Sequence, residues 1–236
     1  MQKNHFYDLC TLGAWATFTA GFLYFCMVIC AFILPESIAT YQATDQYFKD
    51  FESNKSLFLF LKICMFLGSI AMLGVVYVIF HLSRAKNRAY VGFFSLLAII
   101  GYGFNLLQSV LDFSRVPWLV EHYLESPAYI QEIIQTFGVS NVYLFILSLG
   151  LPGVWAVAIS FRAYNNPDVP KFVVFLGFLW GIGNLVTVFA HVFVILPLIY
   201  LVALGAFIST PIWAIAEGVF FLRIRKKGLH YVDLIN

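Results

Sequence analysis

An all-α membrane bundle of six transmembrane helices is the fold class this sequence predicts, and three observations predict it. The first is composition: 61% of the 236 residues are apolar and 11% charged, with 26 Phe and a mean hydropathy of +0.86. A soluble domain is roughly half apolar and about a quarter charged, so one water-facing fold has no core large enough for this chain. The second is the recurrence of apolar stretches near 20 residues, about the helix length that crosses a hydrocarbon layer of roughly 30 Å. The third is where Lys and Arg fall between those stretches.

Six stretches qualify: residues 12–34, 57–82, 90–113, 142–161, 172–196 and 198–222. The first is longer than a signal-peptide core of about 7–15 residues and lacks a convincing cleavage site after it, so it reads as a retained span. The last two nearly touch. Leu196-Pro197-Leu198 divides them, because proline has no amide donor and disfavours helix in the residue before it. With no soluble domain, linker or low-complexity tract between spans, residues 1–236 read as a single transmembrane domain with short tails.

Lys3, Arg84, Lys86, Arg88, Arg162, Lys171, Arg223, Arg225, Lys226 and Lys227 all fall on one side if the chain crosses six times. Lys49, Lys55 and Arg115 fall on the other, with Lys62 just inside a span. The positive-inside rule then predicts a multi-pass plasma (inner) membrane protein with both termini cytoplasmic. A net charge of +2 is too small to argue for nucleic acid.

Two outside connections are long enough to be organised. Ser126-Pro127 followed by Ala128–Phe137 predicts a short amphipathic helix, with Ser126 as N-cap, Pro127 in the first helical position and Gly138 as terminator. Ile38–Phe51 is expected to form a second such cap at the membrane surface. Trp118, Tyr123, Tyr129, Tyr143 and Tyr200 are expected in the outer aromatic belt. Gly150-Leu151-Pro152-Gly153 and Pro211 interrupt the fourth and sixth spans, as packing kinks or as unwound site-forming segments.

Two polar seams carry the candidate chemistry. Gly101, Asn105, Gln108 and Asp112 are spaced four, three and four apart, which places them in one narrow arc of a helix. Gly177, Trp180, Gly181, Asn184, Thr187 and His191 share an arc in the fifth span. At about 1.5 Å per residue the seams stand at matching depth, and Lys62, Asp112 and His191 share a layer near the outer surface. One reading is an outward-facing cavity between the second, third and fifth spans. Its ligand-binding residues are Lys62, Asn105, Gln108, Asp112, Asn184, Thr187 and His191. The other reading is interhelical hydrogen bonding, with the ionisable groups wetted at helix ends. Lys62 and Asp112 read equally as an ion pair or as two interfacial charges.

Glu217 is a further outlier, on one face with Thr210 and Trp213 and about two turns before the basic tail. It and Tyr77 form a candidate polar site on the inner side, with His81 and Arg223 as further partners. Cys10, Cys26, Cys30 and Cys64 show no metal or redox spacing and read as small packing residues. No paired His at matching depth supports haem, and no metalloprotease, nucleophile-elbow or phosphate-loop pattern occurs. No cofactor is expected.

The Trp213…Glu217-Gly218…Leu222-Arg223 ending, with the span count and loop pattern, resembles small six-helix bacterial integral membrane proteins of unknown function. The resemblance implies the layout and carries no catalytic residues. Three functions remain. The leading one is a non-enzymatic protein that binds, senses or passes a small polar or amphiphilic ligand, with membrane lipids around it. The second is a scaffold or accessory subunit whose seams meet partner subunits. The third is a membrane enzyme using Asp112 and His191 as acid and base, which requires both within reach of one atom.

Overall fold

The computed structural model describes residues 3–39, 44–83, 88–123, 125–137, 142–193 and 195–227. Every regular element among them is a helix: α1 (Lys3–Ile33), α2 (Glu36–Ala39), α3 (Asp45–Leu82), α4 (Arg88–Tyr123), α5 (Ala128–Phe137), α6 (Val142–Tyr164), α7 (Lys171–Val192) and α8 (Leu196–Lys227). All but α2 and α5 are long and apolar enough to cross a membrane. Phe22, Phe25, Phe93, Leu96, Phe172 and Phe175 point outward and exposed, which fits a lipid solvent.

The six long helices form a ring. Each packs chiefly on its neighbours in the chain, and α1 packs on α8 to close the circle. Short connections make consecutive helices antiparallel neighbours, so the order is the simplest one available. The bundle therefore has a terminal end, where α1 begins and α8 finishes, and a far end, where α1 finishes.

Small residues let the ring close tightly. A Cβ on Gly101 of α4 would collide with the ring of Pro152 of α6. A Cβ on Gly181 of α7 would meet the Gly153 carbonyl and the Val157 amide of α6, both at 2.9 Å. In lipid, where apolar burial drives little, such close backbone approach is a main source of helix association. Pro152 and Pro211 both lie within continuous helices, so neither span is unwound. Pro152 serves the contact with Gly101.

Two helices outrun their expected limits the furthest. α3 has 38 residues and α4 has 36, so at 1.5 Å per residue each is nearly twice as long as a hydrocarbon layer of about 30 Å is thick. The segment expected as a separate surface cap, Ile38–Phe51, is instead divided: α2 holds Glu36–Ala39, and residues from Asp45 onward are the start of α3. Thr44 caps that start by accepting from the Tyr47 amide at 3.2 Å. No helix breaker stands between Phe51 and the span. α4 likewise continues past Phe113 through Pro117, because its Val116, Val120 and Tyr123 bury themselves with Tyr47, Phe48 and Phe51 of α3.

α5 spans the residues expected of it, but its cap differs. Pro127 supplies the carbonyl that accepts from the Ile130 and Gln131 amides, while the Ser126 hydroxyl donates back to the His122 carbonyl. Ser126 thus finishes α4 rather than starting α5. Gly138 lies outside the described residues. Trp118, Tyr129 and Tyr143 are exposed as a belt requires, whereas Tyr123 is buried. The Tyr200 side chain lies outside what is described.

Candidate functional site

Three tryptophans from three consecutive helices meet inside the ring. Trp155 of α6 stands edge-on to Trp180 of α7 and Trp213 of α8, at centroid distances of 6.0 and 6.2 Å. Trp180 and Trp213 are 4.7 Å apart. Edge-to-face packing suits the indole quadrupole, and the large rings fill the middle of the bundle. Towards the terminal end the filling stops.

There a cavity of about 410 Å³ opens, lined by parts of α3, α4, α6, α7, α8 and the connection after α6. Trp155 and Trp213 line its deep part, while Ser83, Arg162, Asn165 and Asn166 line it at the terminal end. Val173, Val174, Phe220 and Phe221 supply apolar wall. The volume is within the range of about 300–1,000 Å³ typical of small-molecule sites. Gly177 makes room for its polar side: a Cβ there would collide with Ser160 Oγ and lie 3.2 Å from Trp213 Nε1.

Glu217 lines the same cavity from α8. It is 8% exposed and, among the described residues, has no hydrogen bond or ion pair. The fully buried Trp155 also leaves its indole N–H without an acceptor there. Buried polar groups in proteins are overwhelmingly paired, so a carboxyl on the cavity wall and a buried indole N–H behind it, both without partners among the described residues, call for an explanation.

The other sequence-predicted residues lie elsewhere. Lys62 of α3 and Asp112 of α4 form an ion pair at 2.5 Å, 1% and 3% exposed, near the far end. Lys62 Nζ also stands 5.3 Å from the centre of the Phe58 ring. Asn105 donates to Ser69 Oγ of α3 at 2.8 Å, and Gln108 is buried on the same stripe. The α4 seam therefore meets α3 at Asn105 and Asp112 and α6 at Gly101. On α7, Thr187 donates to the Gly183 carbonyl, and His191 Nδ1 lies 2.8 Å from the Thr187 carbonyl with its ring against Phe145. Asn184 packs where Gly153 of α6 approaches. Since α6 stands between α4 and α7 in the ring, the two seams do not face each other directly. Asp112 is paired with Lys62 of α3, whereas His191 packs on Phe145 of α6. On the inner side, Tyr77 is exposed and lies tilted against His81, 4.0 Å between ring centroids, outside the lining of the cavity that holds Glu217.

A family model described as a domain of unknown function, DUF4386, matches residues 19–223. The chain belongs to the DUF4386 family. Neither a curated protein nor a solved structure matches it. The DUF4386 match takes in the whole wall of tryptophans and Glu217, and leaves outside it the first turns of α1, where Phe6, Leu9 and Cys10 pack on Val78 and Phe221.

Sequence reasoning placed Trp180, Trp213 and Glu217 on inward arcs of this DUF4386 chain but missed Trp155 and Ser160. Both were legible as a large and a small residue with a polar group in the second half of α6, about one turn and a half apart. Nothing in α6 alone says that they meet a void.

Proposed function

We propose that this protein is a multi-pass membrane protein that binds a small polar or amphiphilic ligand in the cavity at its terminal end. The observation that carries the reading is Glu217: a carboxyl withdrawn from water, without a partner among the described residues, on the wall of a ligand-sized space. Burying such a group costs free energy that an empty structural role does not return, so its presence there points to a ligand.

The far end supports binding or sensing over open passage. There the ring is filled by Lys62–Asp112 and by the stack of Phe48 on Tyr123, 3.6 Å between centroids and 8° from parallel. On this reading Lys62, Asn105, Gln108 and Asp112 hold helices together and do not touch ligand. The distribution of Lys and Arg supports cytoplasmic termini, so the cavity faces the cytoplasm.

The test is mass spectrometry of the protein released from mild detergent, comparing the natural chain with Ala163→Phe. Ala163 lines the cavity, and a phenyl ring there takes up much of the space. The natural chain should carry a small molecule beyond lipid and detergent, and A163F should retain about a tenth as much or less. Equal retention by both chains would exclude this cavity as the site.

A further inference from the structure

The chemistry of the cavity narrows what occupies it, and the narrowing rests on the reading above. We propose that the cavity takes a small organic cation, an amine or quaternary ammonium with an apolar remainder, its positive head beside Glu217 and the indole of Trp213. Three features support a cation. In its ionised form Glu217 only accepts hydrogen bonds, and a positive charge beside it is what favours that form in a buried place. Tryptophan attracts cations most strongly of the aromatic side chains, through the negative face of its ring. Val173 and Val174 add apolar wall nearer the terminal end, which suits an alkyl or aryl remainder and not a hydrated metal ion. Among the described residues no three His, Cys, Asp or Glu side chains gather as metal ligands would.

An anion fits less well. Arg162 at the terminal end of the cavity is exposed, so salt screens it over about 8–10 Å. Glu217 is buried and unscreened, and it repels an anion at the depth where the indoles lie. The basic residues therefore meet the lipid surface, and the acidic one meets the ligand.

The test uses indole emission from the full chain carrying Trp15→Phe and Trp118→Phe, two exposed positions, so that only Trp155, Trp180 and Trp213 report. Benzyltrimethylammonium, benzyl alcohol and benzoate share a ring and differ in charge. The ammonium should change the emission saturably, with an apparent affinity at least about tenfold above the other two. Glu217→Gln should remove most of that preference, and Glu217→Asp should restore part of it. Should E217Q fail to fold, the order of the three probes on the parent chain decides. Saturable binding of the alcohol as tight as that of the ammonium would overturn the cation inference and leave a binding cavity standing. No saturable response to any probe would overturn both.

Discussion

The two ends of this bundle handle buried charge in opposite ways. At the far end Asp112 is matched by Lys62 at 2.5 Å, inside a shell that Phe58 helps to close. Around it the long ends of α3 and α4 are clasped. Tyr123 donates to Asp45, Gln135 of α5 donates to the Tyr123 hydroxyl at 2.6 Å, and Lys55 meets Glu121 at 2.8 Å. At the terminal end Glu217 has no such partner among the described residues, and the space beside it is open. Paired charge without room is how a fold locks itself, whereas unpaired charge with room is how it waits for something else. The same chain does both within the span of a few helices, which argues that the second arrangement is not an accident of poor packing.

Substitutions at the two ends should differ in sign, and that is the sharpest way to break the comparison. The largest effect is expected from Asp112→Ala, which strands the Lys62 ammonium. Reversible unfolding in mixed detergent should show a loss of about 3–5 kcal/mol, recovered by the double replacement Lys62→Met with Asp112→Leu. A harmless D112A would mean that water reaches this pair and the far end is not locked. A smaller change of opposite sign is expected from Glu217→Leu. Removing a buried carboxyl without a partner should stabilise the ligand-free protein by about 1–3 kcal/mol in the same assay. Destabilisation by E217L would show that Glu217 holds the fold as Asp112 does. The smallest effect belongs to Lys55→Ala, whose pair with Glu121 lies in water; the unfolding midpoint should not move measurably.

Much of the architecture was legible because lipid imposes it locally. A helix that crosses a membrane must be apolar for about 20 residues wherever it sits in the fold, so the six crossings and the amphipathic α5 could be read from short windows, whereas the break before α8 falls between Val192 and Leu196, ahead of the expected Leu196-Pro197-Leu198, with Pro197 in the first turn of α8. The burial of Gly101, Asn105, Gln108 and Asp112 along α4 followed from their spacing alone. The limits of α3 and α4 did not, since past the bilayer their course depends on mutual packing of Phe48, Phe51, Val120 and Tyr123. Nor did the neighbour that each seam meets. Periodicity says which residues share a face but not what that face touches.

By itself the sequence determined six apolar helices, a one-sided distribution of Lys and Arg, and which polar residues of α4 and α7 avoid lipid, because each of these is a property of a single segment in its solvent. The tertiary structure alone decided that α6 separates the α4 and α7 stripes, that Lys62 closes on Asp112, and that the space beside Glu217 is left unfilled. These depend on the order of helices round the ring and on how the volumes of distant side chains add up, and no stretch of sequence carries a sum over its neighbours.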